Sequence, residues 1–149
     1  MTAVALGPDY WSVLGHGVTA IALYAIVGLA LMVLGFFVLD WTTPGPLRTL
    51  VQAGRPNAGA IAASGVLSLS FVIVLAIYSS SGELVDGLIN TLIFGLLGIV
   101  VQAASVRIVE LVTGIDIGPV LAAERYTPEA LVVVAGHFAV GLIVAAAIL

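Results

Sequence analysis

Apolar residues fall in four long runs, with short polar stretches between them. The first covers residues 13–39, carries no charge, and has His16 and Thr19 as its clearly polar members. A bilayer crossing takes about 20 apolar residues. A helix over this run is roughly 40 Å long and is predicted to tilt or protrude. The other runs cover residues 57–78, 87–113 and 128–149. Together they predict an all-α, integral membrane four-helix bundle forming a single transmembrane domain over residues 1–149. Tyr10 and Trp11 before the first run and Trp41 after it stand where interfacial aromatic anchors belong. Residues 1–12 lack the basic region of a signal peptide and read as part of the mature chain.

The breaks are as informative as the runs. Pro44-Gly45-Pro46 stops the first helix. A short interfacial turn is expected over residues 47–53, with Leu47, Leu50 and Val51 toward lipid and Arg48 and Gln52 toward water. Asn57 stands where the N-cap of the second helix is expected. A second bend covers residues 114–125, with a further short turn at 120–123. Thr127 and Pro128 then supply an N-cap and an N1 proline for the last helix.

Two helices carry a distinctive face. On the second, Gly59, Ala60, Ser64, Gly65 and Ser68 predict a packing surface that lets another helix come close. If that surface drives assembly, Ser64→Leu or Gly65→Leu should disrupt it. On the third, Thr91, Gly95, Gly98, Gln102 and Ser105 share one face, expected to point into the bundle. Asn90 on the same helix is expected to act as interhelical glue.

Composition removes whole classes of function. Of 149 residues, 62% are hydrophobic and 8% charged, and the mean hydropathy is +1.28. A soluble domain carries about 25% charged residues, so lipid must cover this surface. Cysteine is absent, which excludes disulfides and thiolate chemistry. The four basic residues are all arginine, the net charge is −4, and no basic patch suits nucleic acid. Arg48, Arg55, Arg107 and Arg125 all lie in or near the two bends. The positive-inside rule then places both bends in the cytoplasm and both termini outside.

Shifting the chain by 70 residues sets Asp40 on Glu110, Thr43 on Thr113, Gly28 on Gly98 and Arg55 on Arg125. Helix, bend and helix register in both halves, residues 13–78 and 83–148. Each half crosses twice, so the pattern predicts two tandem parallel two-helix repeats.

Asp40, Thr43-Pro44, Leu47, Gly54, Asn57-Ala58 and Gly65 form a pattern that resembles the domain of unknown function 350 family. The likeness is best over residues 37–77 and covers the whole chain in layout. It implies a small four-helix protein of the bacterial cytoplasmic (inner) membrane, built from two copies of a two-helix unit. The second half departs from the pattern, with Thr127-Pro128-Glu129-Ala130 where the first half has Asn57-Ala58. The family has no settled activity, so the likeness implies no reaction.

Candidate chemistry is sparse. His137 lies about ten residues into the last helix, near mid-bilayer, where an ionisable group is a functional candidate. Gln102 is expected at similar depth as its partner. Arg107 and Glu110 have the spacing of an ion pair on one helix face. Asp40 and Glu110 would flank the mouth of a pseudo-symmetric pore, and His16 and Asp86 would meet near the outer surface. Metal-binding histidine spacing, a phosphate loop and a nucleophile elbow are missing, so no cofactor and no enzymatic activity are expected. Two readings remain. The first is a non-enzymatic subunit that associates with itself or with a larger membrane complex. The second is an oligomeric channel or small-solute transporter using His137 and the polar face of the third helix.

Overall fold

The computed structural model describes residues 9–80 and 83–149. Among them the chain forms six helices and no strand: α1 Tyr10–Thr42, α2 Leu47–Gln52, α3 Pro56–Ser79, α4 Leu84–Thr113, α5 Ile117–Ala122 and α6 Pro128–Ile148. The reading of residues 1–8, and of positions 81 and 82 between α3 and α4, lies outside the described residues. Four of the helices, α1, α3, α4 and α6, are long and apolar enough to cross a membrane.

Local chemistry sets the ends. Pro44 holds Thr43 in extended backbone, and the Thr43 hydroxyl and N–H both donate to the Leu39 carbonyl, closing α1. α2 ends in a Schellman motif. Gly54 takes φ +74°, its N–H donates to Val51, and the Arg55 N–H reaches back to Leu50. α4 ends on Gly114 at φ +70°, a backbone conformation that L side chains rarely adopt.

Both bends hold their short helices in a similar way, with the acids, the threonines and the buried apolar residues 70 positions apart. Asp40 accepts from the Arg48 N–H at 2.8 Å, and Glu110 accepts from the Ile117 N–H at 3.4 Å. Thr43 bonds back to Leu39, and Thr113 to Val109. Leu47 and Ile117 are both fully buried. This corrects the expected orientation of Leu47. It points into the bundle floor, because that is where the core of residues such as Ile61, Val106 and Val133 needs closing.

α3 is the central helix, with eleven buried residues against three in α1. It packs on α4, and α1 and α6 each lie against both, so α1 and α6 sit at opposite corners. Glycines set the spacing. Gly35 of α1 admits Leu69 and Ile99; Gly95 and Gly98 of α4 admit Leu31 and Val72; Gly141 of α6 lies directly on Ser68.

The helices differ in reach. The Tyr24 hydroxyl meets Ser80 at 3.2 Å, so Tyr24 is level with the α3–α4 connection. α1 continues through residues 10–23, roughly 20 Å of helix, bordered on one side by Leu84 at the start of α4, which lines a cavity with Trp11, Gly15, His16 and Thr19. Trp11, Val13, Val18 and Ile21 are exposed there, and Gly15 and Gly17 face open space.

Candidate functional site

Two sets of polar side chains converge within the bundle. The first lies in the middle of the spans, where α3, α4 and α6 meet. His137 is fully buried, and its Nδ1 is 2.9 Å from Ser64 Oγ. The Ser64 hydroxyl also lies 2.8 Å from the Ile61 carbonyl, to which it donates its single proton. With its proton so placed, Ser64 accepts from an Nδ1–H, an assignment that puts the imidazole proton on Nδ1 and leaves Nε2 bare. Nε2 has no hydrogen-bond partner among the described residues.

Gln102 is joined to His137 through Ser68. Ser68 Oγ lies 2.6 Å from the His137 carbonyl and 3.0 Å from Gln102 Oε1. One hydroxyl proton cannot serve both acceptors. Donated to the carbonyl, it leaves Ser68 as an acceptor, which a turned-over Gln102 amide meets with Nε2, the atom otherwise unpaired. Ser105, a residue the sequence reading placed only on the inward face, donates to the Gln102 carbonyl at 2.7 Å. The cluster is closed. The adjoining cavity, between Gly35, Leu39, Gly65 and Gln102, is about 10 Å³, room for about one water molecule. Ser64 and His137 resemble the start of a nucleophile–base pair. However, Ser64 is 2% exposed, and that cavity is too small for a substrate.

The second set clasps the two bends together. Asn57 does not cap its own helix, as the sequence reading expected: Arg55 is the N-cap and Pro56 occupies N1. Its side chain crosses to the other bend instead. Nδ2 donates its two protons among Val120 O at 2.8 Å, Arg125 O at 3.2 Å and Thr127 Oγ1 at 3.3 Å, the two longer contacts sharing one, while Oδ1 accepts from the Thr127 N–H at 3.1 Å. Arg55 pairs with Glu124 at 3.0 Å outside this clasp. Nothing local in the sequence signals a bond from 57 to 127. The one clue is that the two positions match under the 70-residue shift.

The remaining candidates lie elsewhere. Arg107 and Glu110 pair at 2.8 Å on the outside of α4. Asp40 and Glu110 hold the short helices and do not line a pore mouth. His16 binds the Ser12 carbonyl, and Asp86 is exposed. Asn90 is exposed on α4 and has no hydrogen bond among the described residues; it sits one residue from buried Thr91, about 100° around the helix. Ser64, Gly65 and Ser68 form contacts within the chain, Gly65 against Leu39 and Ser68 against Gly141. Ala60 is half-buried, and Gly59 meets open space, so the packing face excludes Gly59.

Four apolar helices whose polar side chains are spent largely on one another define a multi-pass helical membrane protein. The chain belongs to the family described as Domain of Unknown Function (DUF350), whose model matches residues 13–148. It is similar to UPF0719 transmembrane proteins of Mycobacterium bovis and Mycobacterium tuberculosis, each 46% identical over 81 residues, 54% of this chain and 53% of the relative. A UPF0719 transmembrane protein of Mycolicibacterium paratuberculosis is 40% identical over 85 residues, 56% of each chain. The matched stretch spans about half the length of these curated relatives. No solved structure matches. The protein is a multi-pass bacterial membrane protein.

Proposed function

We propose that this chain is a non-enzymatic subunit that acts by association in the bacterial cytoplasmic membrane, with copies of itself or with a larger complex. The observation that carries this reading is the outer end of α1. Residues 10–23 meet the bundle on one side at Leu84 and are otherwise bare, with Trp11 71%, Val13 68%, Val18 58% and Ile21 71% exposed. An apolar helix longer than the hydrocarbon core must lean, thicken the bilayer or be covered by another helix. Gly15 and Gly17 leave room for a neighbouring helix to come close. The small-residue face of α3, by contrast, is consumed inside the chain. Ser64→Leu or Gly65→Leu would therefore act first on the fold.

Both bends pack on each other at one end, with Arg48, Arg55 and Arg125 among them, which supports a cytoplasmic location for that end. The transporter reading ranks lower because Thr91, Gly95, Gly98, Gln102 and Ser105 are all buried against other helices, as is His137. A path through one chain would have to displace them.

The test uses protein isolated from its own membranes in mild detergent, with particle mass measured and co-purifying chains identified. A mass above that of one 15.2 kDa chain, or a stoichiometric second chain, is the expected result. A lone chain overturns the reading. Because the sequence has no cysteine, Gly15→Cys also reports contact directly: copies that meet along α1 become cross-linked under oxidation, whereas Gly59→Cys copies do not.

A further inference from the structure

The surface of α1 near the first bend carries a groove of about 360 Å³, lined by Met32, Val33, Phe36, Phe37, Val66 and Arg48. Its walls come from α1 and α3, and its end is closed by α2. The local fold explains why an arginine is there. Leu47 is buried in the bundle floor, and the next backbone N–H is held by Asp40 at 2.8 Å, so Arg48 is fixed beside the foot of α1. Trp41, 87% exposed at that same foot, has the position of an interfacial anchor and marks headgroup depth.

The arginines differ in what they have left to bind. Arg55 pairs with Glu124 at 3.0 Å and Arg107 with Glu110 at 2.8 Å. The Arg48 guanidinium makes no ion pair among the described residues. Asp40, the nearest acid in sequence, is engaged by a backbone N–H. The groove thus joins an apolar channel to a guanidinium that holds no carboxylate within ion-pair distance, the Asp40 charge being turned to the Arg48 backbone N–H. A guanidinium presents two parallel N–H donors that fit a phosphate. The matching tenant is an amphiphile with an acyl tail and an anionic head.

We propose that this groove is a binding site for an anionic phospholipid, with its phosphate on Arg48 and one acyl chain along Phe36 and Phe37. A zwitterionic lipid brings its own cation back to the same place and gains less. Basic pockets between membrane helices are a recurrent means of holding acidic headgroups. The molecule contains its own comparison. On the other side of α1, a groove of about 420 Å³ between Trp41, Thr42, Ala103, Ala104 and Arg107 has its arginine already paired with Glu110.

Native mass spectrometry of the intact chain in mild detergent tests the site, using phosphatidylglycerol and phosphatidylcholine of equal chain length. Wild type is expected to retain the phosphatidylglycerol in roughly fivefold excess, the effect of one arginine near a membrane surface. Arg48→Gln removes the excess and Arg107→Gln keeps it; Arg48 lies outside the core, so its replacement leaves the fold intact. Val33→Trp fills the groove and lowers retention of both lipids. Equal retention of the two lipids by wild type overturns the proposal. So does an excess that survives Arg48→Gln, or retention unchanged by Val33→Trp.

Discussion

Asn57 uses both ends of its amide on the opposite bend, and removing it leaves the Thr127 N–H and the Val120 carbonyl to find other partners. Asn57→Ala is expected to cost about 1–3 kcal/mol, read as a lower unfolding midpoint in detergent. Asn57→Asp keeps the acceptor for Thr127 but sets a carboxylate against two carbonyls, and should be no better. In the mid-span cluster, Ser64→Ala and His137→Phe are expected to couple in a double-mutant cycle by about 0.6 kcal/mol, the average for hydrogen bonds between membrane helices, and by no more than about 1.7 kcal/mol. Additive effects would mean that the 2.9 Å contact contributes nothing. The sequence showed the depth of His137 and Gln102 but not the serines that join them. Depth follows from counting along a helix; partners depend on how each helix is rotated against its neighbours. Asn57 misled for a related reason. Its position fits a cap, but Pro56 already fills N1, and its true partners lie 63 to 70 residues away.

Helices were the most legible level, because a bilayer demands long apolar runs and little else does. Each end differs from its apolar run by only a few residues. α1, for example, extends through Asp40 and Trp41 until the geometry imposed by Pro44 stops it. Helix rotation was only partly legible. The inward face of α4 is the one its polar and small residues mark, yet Asn90 faces outward and Gly59 packs against nothing. Paired substitutions test the packing. A Cβ on Gly141 would overlap Ser68 Oγ, so Gly141→Ala should separate α3 from α6 at a cost of about 1–3 kcal/mol. Gly59→Ala should instead stabilise α3 by about 0.5–1 kcal/mol through helix propensity alone. Thermal unfolding of both variants reports the difference, and a destabilised Gly59→Ala would show that this position touches something outside the chain.

At the scale of the molecule, the two bends share one end and one way of holding a short helix, while the long helices break the symmetry that the 70-residue shift suggests: α1 and α6 are not neighbours. The shift is read from matching residue types, and these persist at the bends because acid, threonine and buried apolar residue do the same job in each. The long helices keep only the Gly28–Gly98 match; Gly35, Gly95 and Gly141, which also set their packing, have Ser105, Ala25 and Phe71 at the shifted positions. The orientation is open to direct measurement in the cysteine-free chain. A thiol placed at Thr49 should react with a membrane-impermeant reagent only after the cytoplasmic side is opened, and one at Glu83 should react in intact cells. The opposite pattern would invert the topology. The unequal lengths of α1 and α6 have a mechanical consequence. The apolar run of α1, residues 13–39, and α6, 21 residues long, present walls of roughly 40 Å and 30 Å to the same bilayer. Lipid beside α6 meets a wall of its own thickness, whereas lipid beside α1 must stretch, or the helix must lean, at a cost that grows with every ångström of mismatch. Each molecule therefore imposes a thickness gradient from one flank to the other. Copies that associate as proposed would relieve it best with their tall flanks together, so mismatch would add its own bias toward that face.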